Sequence, residues 1–360
     1  MVAVCSLGSH SALDICEGAK KERLKTVVVC QRGREKTYVR HRCRNAHGRE
    51  IGIIDEIILL DKFADIVNEP VKEKLQELEC VFVPNRSFSV YVGYDNIEKK
   101  FNVPIFGNRW MLRAEERYEK KNQYYLLKKA GIRFPRQLKP EEIDTLVIVK
   151  APEAKRSYER AFFFATSYEE YEQKAREMLE KCIITKEGLE SAVIEEYVVG
   201  AQFNFNYFYS PLSGELELLG IDMRRQTNID GILRLPAKEQ LELLKYVRVK
   251  NIEVGHVACT LRESLLEEVF ELGERFVEAS KKEYPPGIIG PFALQGAVVP
   301  EEKGEKPVIF DVSMRVPGSP GTRFTPYTEY LWREPMSTGR RIAIEIREAE
   351  ETGRMKEITT

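Results

Sequence analysis

The sequence predicts a mixed fold, in which an α/β domain with a parallel sheet is followed by α+β lobes. A strand, a helix and a second strand follow one another within the first 30 residues, and this order produces parallel neighbouring strands. Between residues 146 and 199, the predicted order is strand, loop, strand, helix and strand, which is typical of an α+β lobe. Residues 202–209 alternate Phe or Tyr with polar residues, which is typical of an antiparallel sheet with one buried face.

The N-terminal unit is predicted as a strand over residues 2–6, a helix over residues 12–21 and a strand over residues 26–30. The turn before the helix contains Gly8, Ser9, His10 and Ser11. Such a turn directs backbone N–H groups and the positive end of a helix toward one point, which makes it a natural phosphate site. His10 can donate a hydrogen bond or act as an acid or base near neutral pH. Ser9 or Ser11 can equally serve only as a helix cap.

A second strand–helix–strand unit is predicted over residues 56–60, 71–78 and 80–84, with a further strand over residues 103–106. Ser87 follows the strand over residues 80–84, at the edge where open α/β sheets bind ligands. We assign residues 1–108 to an N-terminal, substrate-binding α/β domain.

The middle of the chain is predicted to form a linker helix and a small lobe, residues 109–200. The predicted elements are a helix over residues 109–130, strands over residues 146–150 and 161–165, a helix over residues 167–181 and a strand over residues 192–199. Lys150 ends the first strand and is a candidate phosphate ligand. The basic segment after it contains Lys155, Arg156 and Arg160. A nucleotide can lie beneath this lobe.

The last unit, residues 201–360, contains a predicted hairpin with one polar side chain on each apolar strand. The two strands cover residues 292–299 and 307–312, and their polar residues are Gln295 and Asp311. Pairing brings the two oxygen ligands together, and Mg²⁺ is commonly held by one or two protein oxygens plus substrate phosphates. The alternative is an ordinary hairpin whose Gln and Asp face solvent.

Composition narrows the class of protein. The net charge of −1, from 56 basic and 57 acidic side chains, argues against nucleic acid as a partner and leaves small molecules as the expected ligands. No apolar run approaches the roughly 20 residues of a membrane span. Seven scattered cysteines predict reduced thiols in a cytoplasmic protein. The sequence leaves the oligomeric state open, a homo-oligomer included.

Several residues stand in the order of the ATP-grasp superfamily, and nearly the whole chain resembles the archaeal PurP family. That family makes 5-formaminoimidazole-4-carboxamide ribonucleotide (FAICAR) from formate, ATP and the aminoimidazole ribonucleotide AICAR, in purine (IMP) biosynthesis. The resemblance implies an ATP-grasp carbon–nitrogen ligase with an N-terminal parallel-sheet (pre-ATP-grasp) domain. The matching segments are residues 7–11, 105–109, 130–133, 194–200, 228–231, 286–295 and 339–343.

The resemblance also implies roles for individual residues. The ribonucleotide is expected at His10 and Ser87, with His256 aligned to a substrate-binding Asn of the family. ATP is expected at Lys150 and at a hinge formed by Glu195, Glu196, Tyr197 and Val198, and Mg²⁺ (or Mn²⁺) at Gln295 and Asp311. The implied mechanism is phosphorylation of formate by ATP to formyl phosphate, which the amine of the imidazole then attacks.

Departures from the family pattern cluster at the expected site. The phosphate loop of the family is of the type P-G-A-R-G-G-R-G, whereas residues 152–160 contain no glycine, and Lys155, Arg156 and Arg160 supply point charges instead. Gln226 replaces a Glu of the family's ATP site, His256 replaces an Asn, and Asp311 replaces a Glu, whose side chain is one methylene longer. Residues 85–87 replace the family's His-Gly-Ser. Three functions therefore remain open: the formate-dependent ligase, an ATP-grasp ligase for another small substrate, and a non-catalytic nucleotide-binding paralogue.

Overall fold

The structure, a computed structural model, describes residues 2–150, 162–247, 253–302 and 304–360. It contains one parallel sheet and two large antiparallel sheets, so the predicted mixed fold is confirmed. Lys155, Arg156 and Arg160 lie outside the described residues. Within those residues, no helix is long and apolar enough to cross a membrane.

The N-terminal residues form a parallel sheet and a separate hairpin. The strands of the sheet are β1 (Ala3–Leu7), β2 (Lys25–Gln31), β5 (Glu56–Leu60) and β6 (Cys80–Phe82), and β3 (Arg44–Ala46) and β4 (Arg49–Ile51) form the hairpin. The strand order of the sheet is β5-β2-β1-β6. Apolar strand residues, among them Val27, Val29 and Phe82, pack in its core with apolar residues of the neighbouring helices. The helices are α1 (Ala12–Lys21), α2 (Lys36–Arg40), α3 (Glu69–Glu77), α4 (Arg86–Val92) and α5 (Tyr94–Lys99), with a 3-10 helix at Phe63–Val67.

The strand predicted over residues 103–106 is wrong, because only two isolated bridges form there, between Ile105 and Phe82 and between Phe106 and Thr359. Pro104 has no N–H to continue a ladder. Its carbonyl accepts from Phe82 N at 2.8 Å, while Ile105 N donates to Thr360 O at 3.0 Å. The segment is therefore shared between the parallel sheet and the C-terminal residue.

The helix predicted over residues 109–130 is also wrong, since it consists of two short helices. A 3-10 helix covers Arg109–Glu115 and α6 covers Gln123–Lys129. The side chain of Asn122 accepts from Tyr125 N at 3.1 Å and so begins a new helix. Gly131, at φ +63°, follows α6 as predicted.

The middle sheet is antiparallel, with the order β7-β10-β8-β9, and it carries Lys150 at the end of β8. Its helix α7 begins at the predicted cap, where Ser167 Oγ accepts from Glu170 N at 3.3 Å. The strands are β7 (Gln137–Leu138), β8 (Val147–Lys150), β9 (Phe162–Ala165) and β10 (Val193–Glu196), and the helices are α7 (Tyr168–Glu180), α8 (Lys186–Glu190) and a 3-10 helix at Pro140–Glu142.

The five-stranded sheet is antiparallel, with the order β13-β12-β11-β14-β15. The predicted hairpin forms its β14–β15 edge, while β13 was not predicted. Its strands are β11 (Ala201–Tyr209), β12 (Leu216–Gln226), β13 (Glu253–Cys259), β14 (Gly290–Glu301) and β15 (Gly304–Ser313). The helices are α9 (Thr227–Ile232), α10 (Ala237–Leu243), α11 (Leu266–Glu283), α12 (Tyr327–Trp332), α13 (Thr338–Glu351) and α14 (Met355–Ile358), with 3-10 helices at Glu263–Leu265 and Pro320–Phe324.

Helix α13, which the sequence assigned to the last unit, packs against α1 of the first. A Cβ at Gly339 would lie 2.1 Å from the carbonyl oxygen of Asp14, and one at Gly18 would lie 2.1 Å from Arg340 N. Two glycines therefore permit the helices to touch backbone to backbone. The contact between α1 and α13 joins the two ends of the chain. The domain boundaries predicted at residues 108 and 200 stay predictions.

Candidate functional site

A row of four polar residues crosses the five-stranded sheet. Asp222 on β12, Asn204 on β11, Gln295 on β14 and Asp311 on β15 stand opposite one another in consecutive strand pairs. Residues that stand opposite one another point to the same face of a sheet. The other face carries the core, which includes Phe205, Ile221, Leu294 and Val312. The sheet thus has a polar face that forms the floor of the candidate site.

Gln295 and Asp311 converge on one guanidinium group, that of Arg224. Gln295 Oε1 accepts a hydrogen bond from Arg224 Nη2, and Asp311 Oδ2 lies 4.0 Å from the same nitrogen. Asp311 Oδ1 also accepts from Arg117 Nη2 at 3.2 Å. The alternative of a solvent-facing Gln and Asp is wrong, since Gln295 is buried and the side chain of Asp311 is only 17% exposed. An amide oxygen and a carboxylate that face one cationic group are a donor set that fits a hard divalent cation. Metal binding itself stays a prediction.

Lys150 is connected to this pair by a chain of buried polar contacts. Glu195, which is fully buried, accepts hydrogen bonds from Lys150 Nζ and from Tyr124 OH. Arg117 Nε donates to Tyr124 OH at 3.2 Å and so links the chain to Asp311. Burial raises the pKa of the Glu195 carboxyl to about 8, and the nearby positive charge of Arg117 acts in the opposite direction. The structure therefore places the predicted phosphate ligand within one network with the predicted metal ligands.

The predicted hinge residues follow Glu195 at the end of β10. Glu196 N donates to Arg136 O and Tyr197 N donates to Leu146 O, both at 2.9 Å. Glu196 is exposed, whereas Tyr197 and Val198 are half-buried. Gln226, also half-buried, lies at the end of β12, and its N donates to Asp230 Oδ2 at 2.6 Å. Tyr197 and Val198 thus lie in the connection between the middle and five-stranded sheets, whereas no hydrogen bond joins Gln226 to them among the described residues.

The turn before α1 is held by hydrogen bonds to two other segments of the chain. Asn85 donates to Leu7 O at 3.0 Å and to Ser9 O at 3.1 Å, and Ser87 Oγ donates to Ser9 Oγ at 2.7 Å. Ser11 Oγ donates to Pro317 O at 2.7 Å, and no side-chain hydrogen bond caps α1. The interpretation of Ser9 or Ser11 as a simple helix cap is therefore wrong. The turn is instead tied to Ser87 and to the segment after β15.

Two arginines, Arg86 and Arg315, lie near enough to His10 to affect its pKa. Arg86 Nη1 donates to Glu115 and Glu116, both at 3.3 Å, and Arg315 Nη2 lies 3.4 Å from Glu115. Burial and the nearby charge of Arg315 hold the pKa of His10 below its usual value. His10 is therefore neutral near pH 7 and can donate or accept a hydrogen bond.

His256 and His10 meet around Gly318. A Cβ at Gly318 would lie 3.8 Å from His10 Nδ1 and 3.9 Å from His256 Nε2. His256 Nδ1 contacts Asp222, and His256 Nε2 lies 2.8 Å from Glu253 Oε1. Burial disfavours the charged ring, but the bonds to Asp222 and Glu253 outweigh it and raise the pKa of His256 to about 9. His256 is therefore an imidazolium near neutral pH.

We expect His256→Asn to flatten the pH dependence of stability between about pH 6.5 and pH 9. The folded-state pKa of His256 is about 9, above its usual 6.5, so its contribution is complete below pH 6.5 and is lost as the pH rises through 9. The contribution is on the order of 2 kcal/mol once solvent screening is allowed for. Urea midpoints at pH 6, 7.5 and 9.5 measure it. Curves for the two proteins that run parallel over this range would contradict the assignment.

Sequence reasoning missed five residues that connect the predicted ones: Arg117, Tyr124, Asp222, Arg224 and Glu253. Arg224 lies on β12, where it pairs with His256. The alternation of Asp222 and Arg224 along one strand was the available signal, since residues i and i+2 share a face. Arg117 and Tyr124 carried no such signal, because they lie in an irregular segment and a short helix.

Two family models match the chain. One, described as a "Domain of unknown function (DUF1297)", matches residues 170–360, and another, described as a "Protein of unknown function (DUF1246)", matches residues 4–138. A curated relative from Methanopyrus kandleri is named 5-formaminoimidazole-4-carboxamide-1-(beta)-D-ribofuranosyl 5'-monophosphate synthetase. It is 41% identical over 360 residues, which cover 100% of this chain and 95% of the relative.

Solved structures resemble the whole chain. A crystal structure titled as an IMP biosynthesis protein PurP from Thermococcus kodakaraensis superimposes with a TM-score of 0.73 at 30% identity, covering 99% of this chain and 100% of that one. N5-carboxyaminoimidazole synthetase from Staphylococcus aureus, solved in complex with ADP, gives a TM-score of 0.57 at 12% identity, over 89% of this chain and 72% of that one. This second likeness shows the fold alone.

Proposed function

Because the chain belongs to the PurP family of 5-formaminoimidazole-4-carboxamide ribonucleotide synthetases, we propose that it formylates AICAR. The reaction consumes ATP and formate, releases ADP and phosphate, and forms FAICAR in purine (IMP) biosynthesis. The enzyme is thus an ATP-grasp carbon–nitrogen ligase. Its substrates are small molecules, and we propose that the enzyme is cytoplasmic.

One observation carries this proposal: Lys150 and Glu195 of the expected ATP site, the expected metal pair, and His256 of the expected ribonucleotide site belong to one polar network. Lys150 reaches Asp311 through Glu195, Tyr124 and Arg117. Arg224 continues the network, because it forms an ion pair with Asp311 and donates a hydrogen bond to Gln295. Glu253 then links Arg224 to His256. A phosphate end and an amine end within one network suit a reaction in which an acid is phosphorylated and then transferred.

The chemistry proceeds in two balanced steps. An oxygen of formate attacks the γ-phosphorus of ATP, and the bond between that phosphorus and the oxygen bridging to the β-phosphate breaks. The products of this step are formyl phosphate and ADP. The amine nitrogen of AICAR then attacks the formyl carbon, the carbon–oxygen bond to phosphate breaks, and the nitrogen loses one proton. Catalysis rests on positioning and on the stabilisation of charge, which arginines and lysines supply.

Gln295 and Asp311 are the residues that would hold Mg²⁺ or Mn²⁺. The metal would neutralise phosphate charge during the transfer. Lys150 would contact the phosphates after leaving Glu195, and His10 with Ser87 would orient the ribonucleotide. Residues 195–198 would hold the adenosine, together with Gln226.

The test is to incubate the purified protein with ATP, Mg²⁺, formate and AICAR and to separate the products. We expect ADP and FAICAR in a one-to-one ratio, each dependent on all four components. ADP formed only when another acid replaces formate would favour a carboxylate–amine ligase with a different substrate, which the cationic His256 in place of Asn supports. ATP binding without ADP from any acid would indicate a non-catalytic paralogue.

A further inference from the structure

The carboxylate of Glu253 lies between two cations, and each of its oxygens faces one of them. Oε1 lies 2.8 Å from His256 Nε2, and Oε2 lies 2.9 Å from Arg224 Nε. Two positively charged donors that face the two oxygens of one carboxylate form an arrangement suited to binding carboxylates. The structure therefore contains a carboxylate site that a side chain of the protein fills.

Each of the two cations has a second partner, and these second partners are less exposed than Glu253. Asp222, which contacts His256 Nδ1, has a side chain that is 1% exposed, whereas the side chain of Glu253 is 37% exposed. Arg224 is also held by Gln295 through Nη2. Departure of the Glu253 carboxylate would leave both cations in position, each with one donor facing the same gap.

The contact between Glu253 and Arg224 is imperfect. Among the described residues, Arg224 Nε is buried and has no hydrogen-bond partner, although Glu253 Oε2 lies 2.9 Å away. The nitrogen therefore lies beside that oxygen, but its N–H bond is too poorly aligned to form a hydrogen bond. A buried donor in this state is unfavourable, and a small carboxylate that is free to turn can satisfy it better than a tethered one.

The gap filled by Glu253 also lies between the expected metal and phosphate site and the expected ribonucleotide site. On one side, Arg224 Nη2 contacts Gln295, where the metal and phosphates are expected. On the other side, a Cβ at Gly318 would lie 3.9 Å from Glu253 Oε1 and 3.8 Å from His10 Nδ1, where the ribonucleotide is expected. An acid that first accepts phosphate and then meets an amine must bind between these two ends.

From these contacts, and resting on the proposed function, we propose that Arg224 and His256 bind the small carboxylic acid substrate, formate. Glu253 fills this subsite in the ligand-free protein and is displaced when the acid binds. His256 then faces the acid and not only the ribonucleotide. Glu253 also makes the subsite harder to occupy, because each acid molecule must compete with an attached carboxylate.

Formate binding to the full chain, measured by titration calorimetry in the presence of Mg²⁺ and a non-hydrolysable ATP analogue, tests this proposal without turnover. Glu253→Ala is expected to lower the Kd for formate about tenfold, and Glu253→Gln to lower it less, since the amide still fills the gap. Adding Arg224→Lys to Glu253→Ala is expected to raise the Kd again by tenfold or more. Steady-state KM values for formate should follow the same order.

The outcomes separate the subsite from the reaction. A formate Kd that Glu253→Ala leaves unchanged, in an enzyme that still forms FAICAR, would overturn the subsite alone. Binding that follows the expected order in a protein that forms no FAICAR would support the subsite while the proposed function fails. Inorganic phosphate is titrated in parallel. Tightening for phosphate but not for formate in Glu253→Ala would assign the gap to a phosphoryl group and overturn the proposal.

Discussion

Replacing Asp311 with Asn is expected to lower kcat/KM for ATP-dependent turnover by about 10²–10³-fold, because a metal that neutralises phosphate charge contributes several kcal/mol to the transition state. The amide keeps the size of the side chain and one oxygen, but it removes the negative charge that the cation requires. Raising the concentration of Mg²⁺ should restore part of the activity, since the variant weakens metal binding and leaves the other parts of the site in place.

Asp61→Asn is the matched control, because the side chain of Asp61 is 82% exposed. Its activity should equal that of the unchanged protein. Asp311→Asn also loses charge pairing with Arg117 and Arg224, so its urea midpoint must be measured alongside. Full activity of a folded Asp311→Asn variant at limiting Mg²⁺ would rule out Asp311 as a metal ligand.

Arg341→Ala is expected to destabilise the protein by about 3–5 kcal/mol, since it removes one member of a buried charge network. The Arg341 side chain is 4% exposed and donates to Glu217 and Glu345, both at 2.9 Å. Its guanidinium also lies 4.1 Å from the ring centroid of Phe208. The alanine variant leaves two buried carboxylates without their cation, and their desolvation is no longer offset.

Arg347→Ala, on the same helix α13, is the matched control. Arg347 has a side chain that is 42% exposed, and Glu22, its partner, retains Arg340 at 2.8 Å. Its expected cost is below about 1 kcal/mol. Urea unfolding of both variants at pH 7 measures the difference. Equal midpoints would show that the buried network contributes no more than a surface ion pair.

Local sequence signals predicted the elements whose boundaries depend on neighbouring residues. The helix predicted over residues 12–21 matches α1, and the strand over residues 56–60 matches β5. The hairpin that pairs Gln295 with Asp311 was also predicted, because its two strands are close in sequence. The helix over residues 109–130 failed, since Asn122 begins a new helix by a single side-chain bond that charge and helix propensity do not reveal.

The connecting residues of the site depended on distant parts of the chain. Arg117 meets Asp311 across 194 positions, and Tyr124 meets Glu195 across 71. Neither contact follows from spacing or composition. Glu253, which is proposed to fill the acid subsite in the ligand-free protein, lies on β13, a strand that was not predicted.

The amino-acid sequence alone determined the class of fold, the polar pair on the C-terminal hairpin and the resemblance to the PurP family. These depend on local period, on turn residues and on motifs that are read in order along the chain. Only the tertiary structure decided that Arg224 stands between the metal pair and His256, and that Glu253 fills the gap beside it. The physical reason is that strand order and register place these side chains on one face, and both are set by packing between segments that are remote in sequence.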